Sequence, residues 1–325
     1  MKKGRIILCV GISLLLFLAP LVYSQGYPEK PVELIVGMPP GGVSDSTSRV
    51  LCKAAEKQLG QPLVVVNKPG VSGALSLTYL SSQKADGYTL AYVPAAVLIQ
   101  VPFFEKVVYK RDDFSYIMGF GYQTYGLSVK ADAPWNSFRE FLDYASKNPG
   151  RVKYASFSPV STTSIVMGLI AREEGIDWTH IPYKGDGPAI TALLGGHVDA
   201  LAGASGQMPY VRSGQLKLLA ILTSYESKGF PHIPTLKSLG YKFPSMCDMA
   251  SSQGVIGPKG MKPEILKKLE EAFTKAAKDP SFIKVMESLD CPISLKNGKE
   301  FEAEILHSYQ ICEKILPPIA AQMKK

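Results

Sequence analysis

Short apolar runs alternate with amphipathic stretches along this chain, and glycine, proline and aspartate residues separate them. This alternation is typical of α/β domains, because each apolar run can form a buried strand and each amphipathic stretch a helix that covers the sheet. The pattern restarts after Gly126, where a second series of strands and helices begins. We therefore predict two α/β domains, each a mixed, largely parallel sheet flanked by helices.

Turn and capping residues give the boundaries of the predicted elements. Serine and aspartate side chains accept hydrogen bonds from the first N–H groups of a helix, so we expect Ser44 or Asp45 to cap one helix and Asp186 another. Glycine and proline end other elements. The predicted strands span residues 32–36, 63–66, 88–93, 127–129, 152–156, 179–182, 198–201 and 216–223. The remaining predicted helices span residues 73–84, 137–147, 162–174, 264–277, 281–289 and 299–315.

The chain is expected to cross between the two domains twice, near Gly126 and again within residues 245–252. The helices near the carboxyl terminus then return to the first domain. We predict that residues 25–126 and 248–325 form domain 1, that residues 127–247 form domain 2, and that a ligand cleft lies between them. About 300 residues are enough to bury two cores.

The amino terminus has the pattern of a secretory signal peptide. Three basic residues precede an apolar run at residues 6–19. This run is shorter than the roughly 20 residues that cross a bilayer. We predict that residues 1–24 form a signal peptide, cleaved near Ser24 and Gln25, and that the mature protein is exported and soluble. A retained membrane anchor is the alternative.

The charge pattern excludes one class of partner. The formal net charge of +8 includes three basic residues within the predicted signal peptide, so the mature chain is only mildly basic. Lysine and arginine residues are scattered and form no cluster that would bind nucleic acid. We predict no nucleic-acid partner, and a weak positive field that attracts anions.

Four cysteines follow the predicted signal peptide: Cys52, Cys247, Cys291 and Cys312. No two of them have CxxC spacing and no histidine lies at zinc-finger spacing from them, so we predict neither a metal site nor a cofactor. The even number permits one or two disulfides in an oxidising compartment, and Cys291 with Cys312 is the first pair to test. Buried, unpaired cysteines are the alternative.

Two loops after predicted strands have the composition of anion-binding loops. Pro40-Gly41-Gly42 precedes a helix, and glycine lets the backbone approach a ligand closely because it lacks a side chain. The free N–H groups of the helix start favour a ligand with negative charge. Residues 156–164 offer hydroxyl groups as well. Loops at the carboxyl ends of strands in two adjacent sheets face one another, so we predict that both loops bind one oxygen-rich ligand. Ordinary strand-to-helix turns are the alternative.

The sequence lacks the residue combinations that hydrolases use. Ser81 with Lys84, and Ser281 with Lys284, have Ser-x-x-Lys spacing, but the partner motifs of β-lactamase-like enzymes are absent. Gly-x-Ser-x-Gly and His-Glu-x-x-His motifs are absent as well. We therefore predict a binding protein, with an exported hydrolase as the alternative.

A series of short motifs occurs in order along nearly the whole chain after the predicted signal peptide. The motifs are Tyr27-Pro28-Glu29-Lys30-Pro31, Pro40-Gly41-Gly42 with Asp45 and Arg49, Leu59-Gly60-Gln61-Pro62, Asn67 with Pro69-Gly70, Asp86-Gly87-Tyr88-Thr89-Leu90, His180-Ile181-Pro182-Tyr183-Lys184-Gly185, Pro188-Ala189, Gly195-Gly196 with Val198-Asp199, and Pro234-Thr235-Leu236 with Leu239-Gly240-Tyr241. This series resembles that of the periplasmic receptors of tripartite tricarboxylate transporters, also called Bug receptors. The resemblance implies a two-domain, hinge-bending fold of the periplasmic-binding-protein (Venus flytrap) type.

The resemblance also implies a function. It points to an extracytoplasmic solute-binding receptor that captures a small organic carboxylate and delivers it to the membrane components of a tripartite tricarboxylate transporter. We expect this receptor to be a periplasmic monomer. A ligand-sensing subunit for a signalling partner is the alternative.

Carried over by position, the family's pocket falls on five segments of this chain. Receptors of this family hold a carboxylate through backbone N–H groups, hydroxyls and bridging waters, without a dedicated arginine. This chain departs from the family pattern at Ser158 and Val160, where glycine is usual, and at Ser164, where histidine is usual. The predicted ligand-binding residues are Pro40, Gly41, Gly42, Asp45, Pro94, Ala95, Ser156, Ser158, Ser161, Thr162, Asp186, Gly203 and Ala204.

Overall fold

The computed structural model describes residues 26–243 and 245–323. The predicted signal peptide and its cleavage point lie outside the described residues. The strands of the described chain form two mixed sheets, one of six strands and one of five, and helices flank both sheets. The predicted fold class is confirmed.

The two sheets draw their strands from different parts of the chain. The six-stranded sheet contains β1 Val32–Val36, β2 Leu63–Asn67, β3 Thr89–Pro94, β4 Phe114–Tyr122, β10 Ser252–Pro258 and β11 Ile293–Asn297. The five-stranded sheet contains β5 Gly126–Lys130, β6 Lys153–Ser156, β7 Thr179–Pro182, β8 Ala200–Gly203 and β9 Leu216–Ile221. The strand orders are β11-β4-β10-β3-β1-β2 and β7-β6-β8-β5-β9.

Parallel pairing places the ends of several strands at one edge of each sheet. β1 is parallel to β2 and β3, and β6 is parallel to β7 and β8. β10 is antiparallel to β3 and β4, and β5 is antiparallel to β8 and β9. Loops that follow parallel strands therefore cluster at the carboxyl edge of each sheet, where ligands bind in open α/β sheets.

Helices cover both sheets. They are α1 Val43–Leu59, α2 Ala74–Ser81, α3 Ala95–Ile99, α4 Val101–Phe104, α5 Phe138–Lys147, α6 Thr162–Glu174, α7 Asp186–Leu194, α8 Met208–Arg212, α9 Ser245–Ser251, α10 Pro263–Ala276, α11 Pro280–Ser288 and α12 Gly298–Met323. We call the six-stranded sheet with α1–α4 and α10–α12 the first lobe, and the five-stranded sheet with α5–α8 the second lobe. The helix predicted at residues 73–84 is shorter in the structure, and the one predicted at 299–315 is longer.

Each sheet packs against its own helices. Alternate residues of a strand point to opposite faces of the sheet. Val32, Leu34 and Val36 accordingly lie in the core beneath α1, whereas Ile35 lies in the core on the other face. Separate clusters of buried residues fill the second lobe.

The chain passes between the sheets twice. β4 ends at Tyr122 in the first sheet, and β5 begins at Gly126 in the second. The return runs from β9 through α9 to Ser252, where β10 begins. Across the described ranges, no helix combines the length and the apolar character that a membrane crossing requires.

Three strands of the first sheet, β4, β10 and β11, were not predicted. Gly254 and Gly257 interrupt the apolar pattern of β10 in the sequence. The structure requires glycine at position 254, because a Cβ there would overlap the Phe301 ring and lie 2.5 Å from the Met118 carbonyl oxygen. The reason for this glycine is thus a contact with distant parts of the chain, which a local pattern does not reveal.

Two predicted helix caps are wrong. α1 begins before Ser44 and has Gly42 as its N-cap, so neither Ser44 nor Asp45 caps it. α7 begins with Asp186 itself, and Gly185 occupies the N-cap position with a φ of 110°. Glycine adopts this φ without the steric cost that a side chain would add, which leaves the aspartate inside the first turn.

The four cysteines that follow the predicted signal peptide, all within the described residues, are buried and unpaired. A disulfide between Cys291 and Cys312, the first candidate from the sequence, is therefore wrong. Cys291 packs in the core beneath α1, whereas Cys312 packs in the core on the opposite face of the same sheet. Burial raises the pKa of both thiols to about 12, which keeps them protonated at neutral pH.

Candidate ligand-binding site

An inner cavity of about 50 Å³ lies between the two lobes, at the carboxyl ends of the parallel strands. With about 10–15 Å³ needed for each water, it has room for about four water molecules. Its first-lobe wall consists of Met38, Ser44, Ser72, Pro94, Ala96, Val97, Gln100 and Val101. The remaining lining residues are Gln123, Tyr125, Phe157, Ser158, Val160, Ser161, Thr162, Asp186 and Ala204.

A wider outer groove of about 490 Å³ adjoins the inner cavity. Met38, Ser72, Phe157 and Ser158 line both spaces. The Oγ atoms of Ser72 and Ser158 are hydrogen bonded at 2.7 Å. Because Ser72 follows β2 and Ser158 follows β6, this bond joins the two lobes at the boundary between the inner cavity and the outer groove.

Ser72 lies in a loop whose backbone is strained. Val71 and Ser72 have φ values of 48° and 52°, and the flanking Gly70 and Gly73 also have positive φ. A left-handed conformation of a residue other than glycine costs about 1–3 kcal/mol, and such strain is concentrated at functional sites. The surrounding structure therefore holds Ser72 in an unfavourable conformation that brings its hydroxyl to Ser158.

The start of α6 forms a hydroxyl-rich wall of the inner cavity. The Ser161 Oγ accepts a hydrogen bond from the Ser164 N–H at 3.1 Å, and the Ser164 Oγ accepts one from the Ser161 N–H at 2.9 Å. The Thr162 hydroxyl donates to the Gln100 Oε1 at 2.7 Å, which is a second contact between the lobes. The first N–H groups of a helix have no intrahelical acceptor and carry partial positive charge, so this wall suits an anion.

Asp186 gives the inner cavity an acidic side chain. Burial raises the pKa of its carboxyl from the usual 3.8 to about 6, although the Ala204 N–H opposes that rise. Within the described part of the chain, no residue forms a salt bridge with Asp186. No lysine, arginine or histidine lines the inner cavity. Lys184 lines the outer groove and, together with Asp186, a side pocket of about 30 Å³.

A buried polar network reaches the inner cavity through Gln123. The Tyr92 hydroxyl donates to the Gln253 Oε1 at 2.6 Å and accepts from the Gln123 Nε2 at 3.2 Å. The Gln123 side chain uses its Nε2 as the donor in this network. No group of three or more histidine, cysteine, aspartate or glutamate residues in that part of the chain is placed to hold a metal ion.

The structure brings some of the predicted ligand-binding residues together and separates others. Those that line the inner cavity are Pro94, Ser158, Ser161, Thr162, Asp186 and Ala204. Those that line the side pocket are Pro40 and Gly42. Those that line neither space are Gly41, Asp45, Ala95, Ser156 and Gly203.

Several residues of the last group hold the loops in place. The Asp45 carboxylate accepts from the Gly41 N–H at 2.9 Å and forms a salt bridge with Arg49 at 2.9 Å. The Ser156 hydroxyl donates to the Ser158 carbonyl oxygen at 2.8 Å. These contacts position the two predicted anion-binding loops.

Several residues of the cavity wall were not predicted from the sequence, including Ser72, Gln100 and Gln123. Ser72 follows Pro69-Gly70, a pair within the motif series, so a signal was present there. Gln100 and Gln123 lie in segments without a glycine loop or a predicted helix start, and their place in the wall depends on the contact between the lobes.

The profile of the family described as "Tripartite tricarboxylate transporter family receptor" matches residues 47–308, most of the chain. The chain belongs to this family. Its identification from the motif series is therefore confirmed, and the two-lobe fold is that of the family's solute-binding receptors.

This tripartite tricarboxylate transporter receptor is similar to known proteins over most of its length. It is 37% identical over 276 residues to the UPF0065 protein in gbd 5'region of Cupriavidus necator, which covers 85% of this chain and 83% of that protein. A solved structure of a periplasmic transporter has a TM-score of 0.82 at 28% identity and covers 90% of this chain and 97% of the other. An R. palustris protein solved with adipate has a TM-score of 0.82 at 22% identity and covers 91% of this chain and 99% of the other.

Proposed function

We propose that this receptor captures a small organic carboxylate in the inner cavity and delivers it to the membrane components of a tripartite tricarboxylate transporter. The observation that carries the proposal is the position of the α6 start in the cavity wall. N–H groups at a helix start form charge-assisted hydrogen bonds with a carboxylate. The Ser161 and Thr162 hydroxyls can add to these bonds by turning their donors from the Ser164 Oγ and the Gln100 Oε1 to the ligand. The R. palustris protein of the same fold, solved with adipate, supports a carboxylic acid as the ligand.

We further propose that the ligand lies between two domains that close around it. Residues 25–126 and 248–325 form domain 1, and residues 127–247 form domain 2, a division that the distribution of strands between the sheets supports. The two crossings of the chain act as the hinge. A ligand that contacts both lobes favours the closed state through its additional contacts there.

The receptor acts, in this proposal, as an exported monomer without enzymatic activity. The signal-peptide pattern, with cleavage near Ser24 and Gln25, and the family's periplasmic receptors support that location. Membership of a family of solute-binding receptors supports binding without catalysis.

A thermal-shift screen of mono-, di- and tricarboxylates tests the carboxylate ligand. An acid that binds only the folded receptor stabilises it by about 2.7 kcal/mol at a concentration 100 times Kd, and thus raises the melting temperature. We expect at least one class of acid to do so. A screen in which no carboxylate raises the melting temperature contradicts the proposal.

The substitution Thr162→Val tests the site with the acid that binds best. Valine keeps the shape of the threonine but removes the hydroxyl at the α6 start, together with its hydrogen bond to the Gln100 Oε1 of the other lobe, so we expect calorimetry to give an affinity about tenfold lower. Thr191→Val is the matched control, because this exposed threonine lies in α7 outside the cavity walls. Equal affinity of Thr162→Val and the unmodified receptor would place the ligand elsewhere.

A further inference from the structure

The walls of the inner cavity differ in charge. The α6 start presents N–H and hydroxyl groups that attract an anion, whereas Asp186 brings a negative charge to the same cavity. Gly42 and Gly206 are close neighbours of Asp186; a Cβ on Gly42 would lie 4.0 Å from the Asp186 Oδ2. As glycines, these two neighbours place no side chain against the carboxylate.

No cation of the protein balances this carboxylate within the inner cavity. The described residues include no salt-bridge partner for Asp186, and Lys184 lines the neighbouring spaces only. A ligand whose only charged groups are carboxylates therefore meets a like charge, which weakens binding. A ligand with its own positive charge next to Asp186 removes that penalty.

An ammonium group matches the acceptors on this part of the wall. It carries one positive charge and three N–H donors. The Asp186 carboxylate can accept one of these donors in a charge-assisted hydrogen bond, and the Oε1 of Gln123, which lines the same cavity, can accept another. A hydroxyl group supplies one donor and leaves the charge of Asp186 unbalanced.

We propose that the carboxylate ligand of this receptor also carries an ammonium group, and that Asp186 binds the ammonium while the α6 start binds the carboxylate. The ligand class is therefore a small amino acid. This inference deepens the proposed function and rests on it. A pKa of about 6 agrees with this role, because Asp186 is then mostly ionised at neutral pH.

Calorimetry with matched pairs of acids tests the inference. The pairs are L-aspartate with succinate and L-glutamate with glutarate, which differ only in the ammonium group, and L-malate adds a hydroxyl in its place. We expect at least one amino acid to bind about tenfold or more tightly than its partner. Asp186→Asn is expected to abolish that preference, because it lowers the affinity for the amino acid.

The substitution Asp132→Asn is the matched control. It removes the same charge from an aspartate whose side chain is 76% exposed, so the preference for the amino acid should remain. Melting curves confirm that both variants are folded.

The outcomes separate this inference from the proposed function. Tighter binding of succinate or glutarate than of the amino acids contradicts the inference that the ligand carries an ammonium group. It leaves the proposed function as a carboxylate receptor unaffected. Tighter binding of malate than of aspartate also contradicts the ammonium group, and it indicates that Asp186 binds a hydroxyl group of the ligand. Retention of the amino-acid preference in Asp186→Asn overturns the role of this residue. The absence of binding by every carboxylate, with or without an ammonium group, overturns both.

Discussion

At the residue scale, Asp186 of the candidate site is expected to lower the stability of the fold. Its pKa of about 6 lies above the usual 3.8 because the carboxyl is buried. Folding therefore opposes ionisation, so the charged group lowers the free energy of unfolding at pH values above about 6 and has no such effect below about 4. Perturbed groups of this kind are concentrated at functional sites.

Asp186→Asn should consequently stabilise the ligand-free receptor at neutral pH. A difference of about two pKa units corresponds to at most about 3 kcal/mol. We therefore expect the free energy of unfolding, measured with urea at pH 7.5, to rise by about 1–3 kcal/mol. The gain should vanish near pH 4, where the carboxyl is protonated in both states. Asp132→Asn should show no comparable pH dependence. A loss of stability in Asp186→Asn at pH 7.5 would mean that the carboxylate has a stabilising partner.

At the scale of elements, the loop between β1 and α1 contains two glycines with different roles. Gly41 has a φ of 85°, which disfavours any residue with a side chain. Gly42 has a φ of −83° and is the N-cap of α1. A Cβ on Gly42 would find its nearest neighbour at 3.8 Å, so a small side chain fits there. The backbone requires glycine only at the first of these positions.

The same substitution at the two positions should therefore have unequal effects. Gly41→Ser should lower the free energy of unfolding by about 1–2 kcal/mol, because the serine must adopt a left-handed conformation. Gly42→Ser should be neutral or slightly stabilising, because serine is a favoured N-cap residue. Urea unfolding of the two variants measures both effects. Equal losses would contradict this prediction and show that the space around Gly42 matters as much as the backbone conformation of Gly41.

At the scale of the whole molecule, the two lobes touch across the inner cavity. The hydrogen bonds from Ser72 to Ser158 and from Thr162 to Gln100 join them, and the space between has room for about four waters. A ligand with several non-hydrogen atoms needs a wider path, which the proposed hinge motion would provide by separating the lobes. Ligand binding should then shift the population towards the closed state.

Small-angle scattering should detect this shift. Saturation with the acid that binds best is expected to reduce the radius of gyration of the receptor, because the ligand contacts both lobes. Thr162→Val, with its weaker binding, should reach the same compaction at a higher acid concentration. An unchanged radius at saturation, for a receptor that is expanded without ligand, would argue against closure.

Several elements that depend on local signals agree with the sequence-based predictions. The strands at residues 32–36 and 179–182 and the helix at 162–174 have the predicted bounds. Each is an apolar run or an amphipathic stretch flanked by turn or capping residues, so its conformation follows from nearby residues. β10 was missed because Gly254, which interrupts its apolar pattern, fits against Phe301 of α12, a helix that follows much later in the chain.

The sequence by itself determined the two α/β units, the family and the segments that meet in the candidate site. These properties rest on periodicity, on glycine and serine loops and on motifs, all of which are local. Only the tertiary structure decided that the four cysteines within the described ranges are unpaired and that Ser72, Gln100 and Gln123 complete the cavity wall. The physical reason is that these features depend on which distant segments pack together: opposite faces of one sheet separate Cys291 from Cys312, and contact between two lobes encloses the cavity.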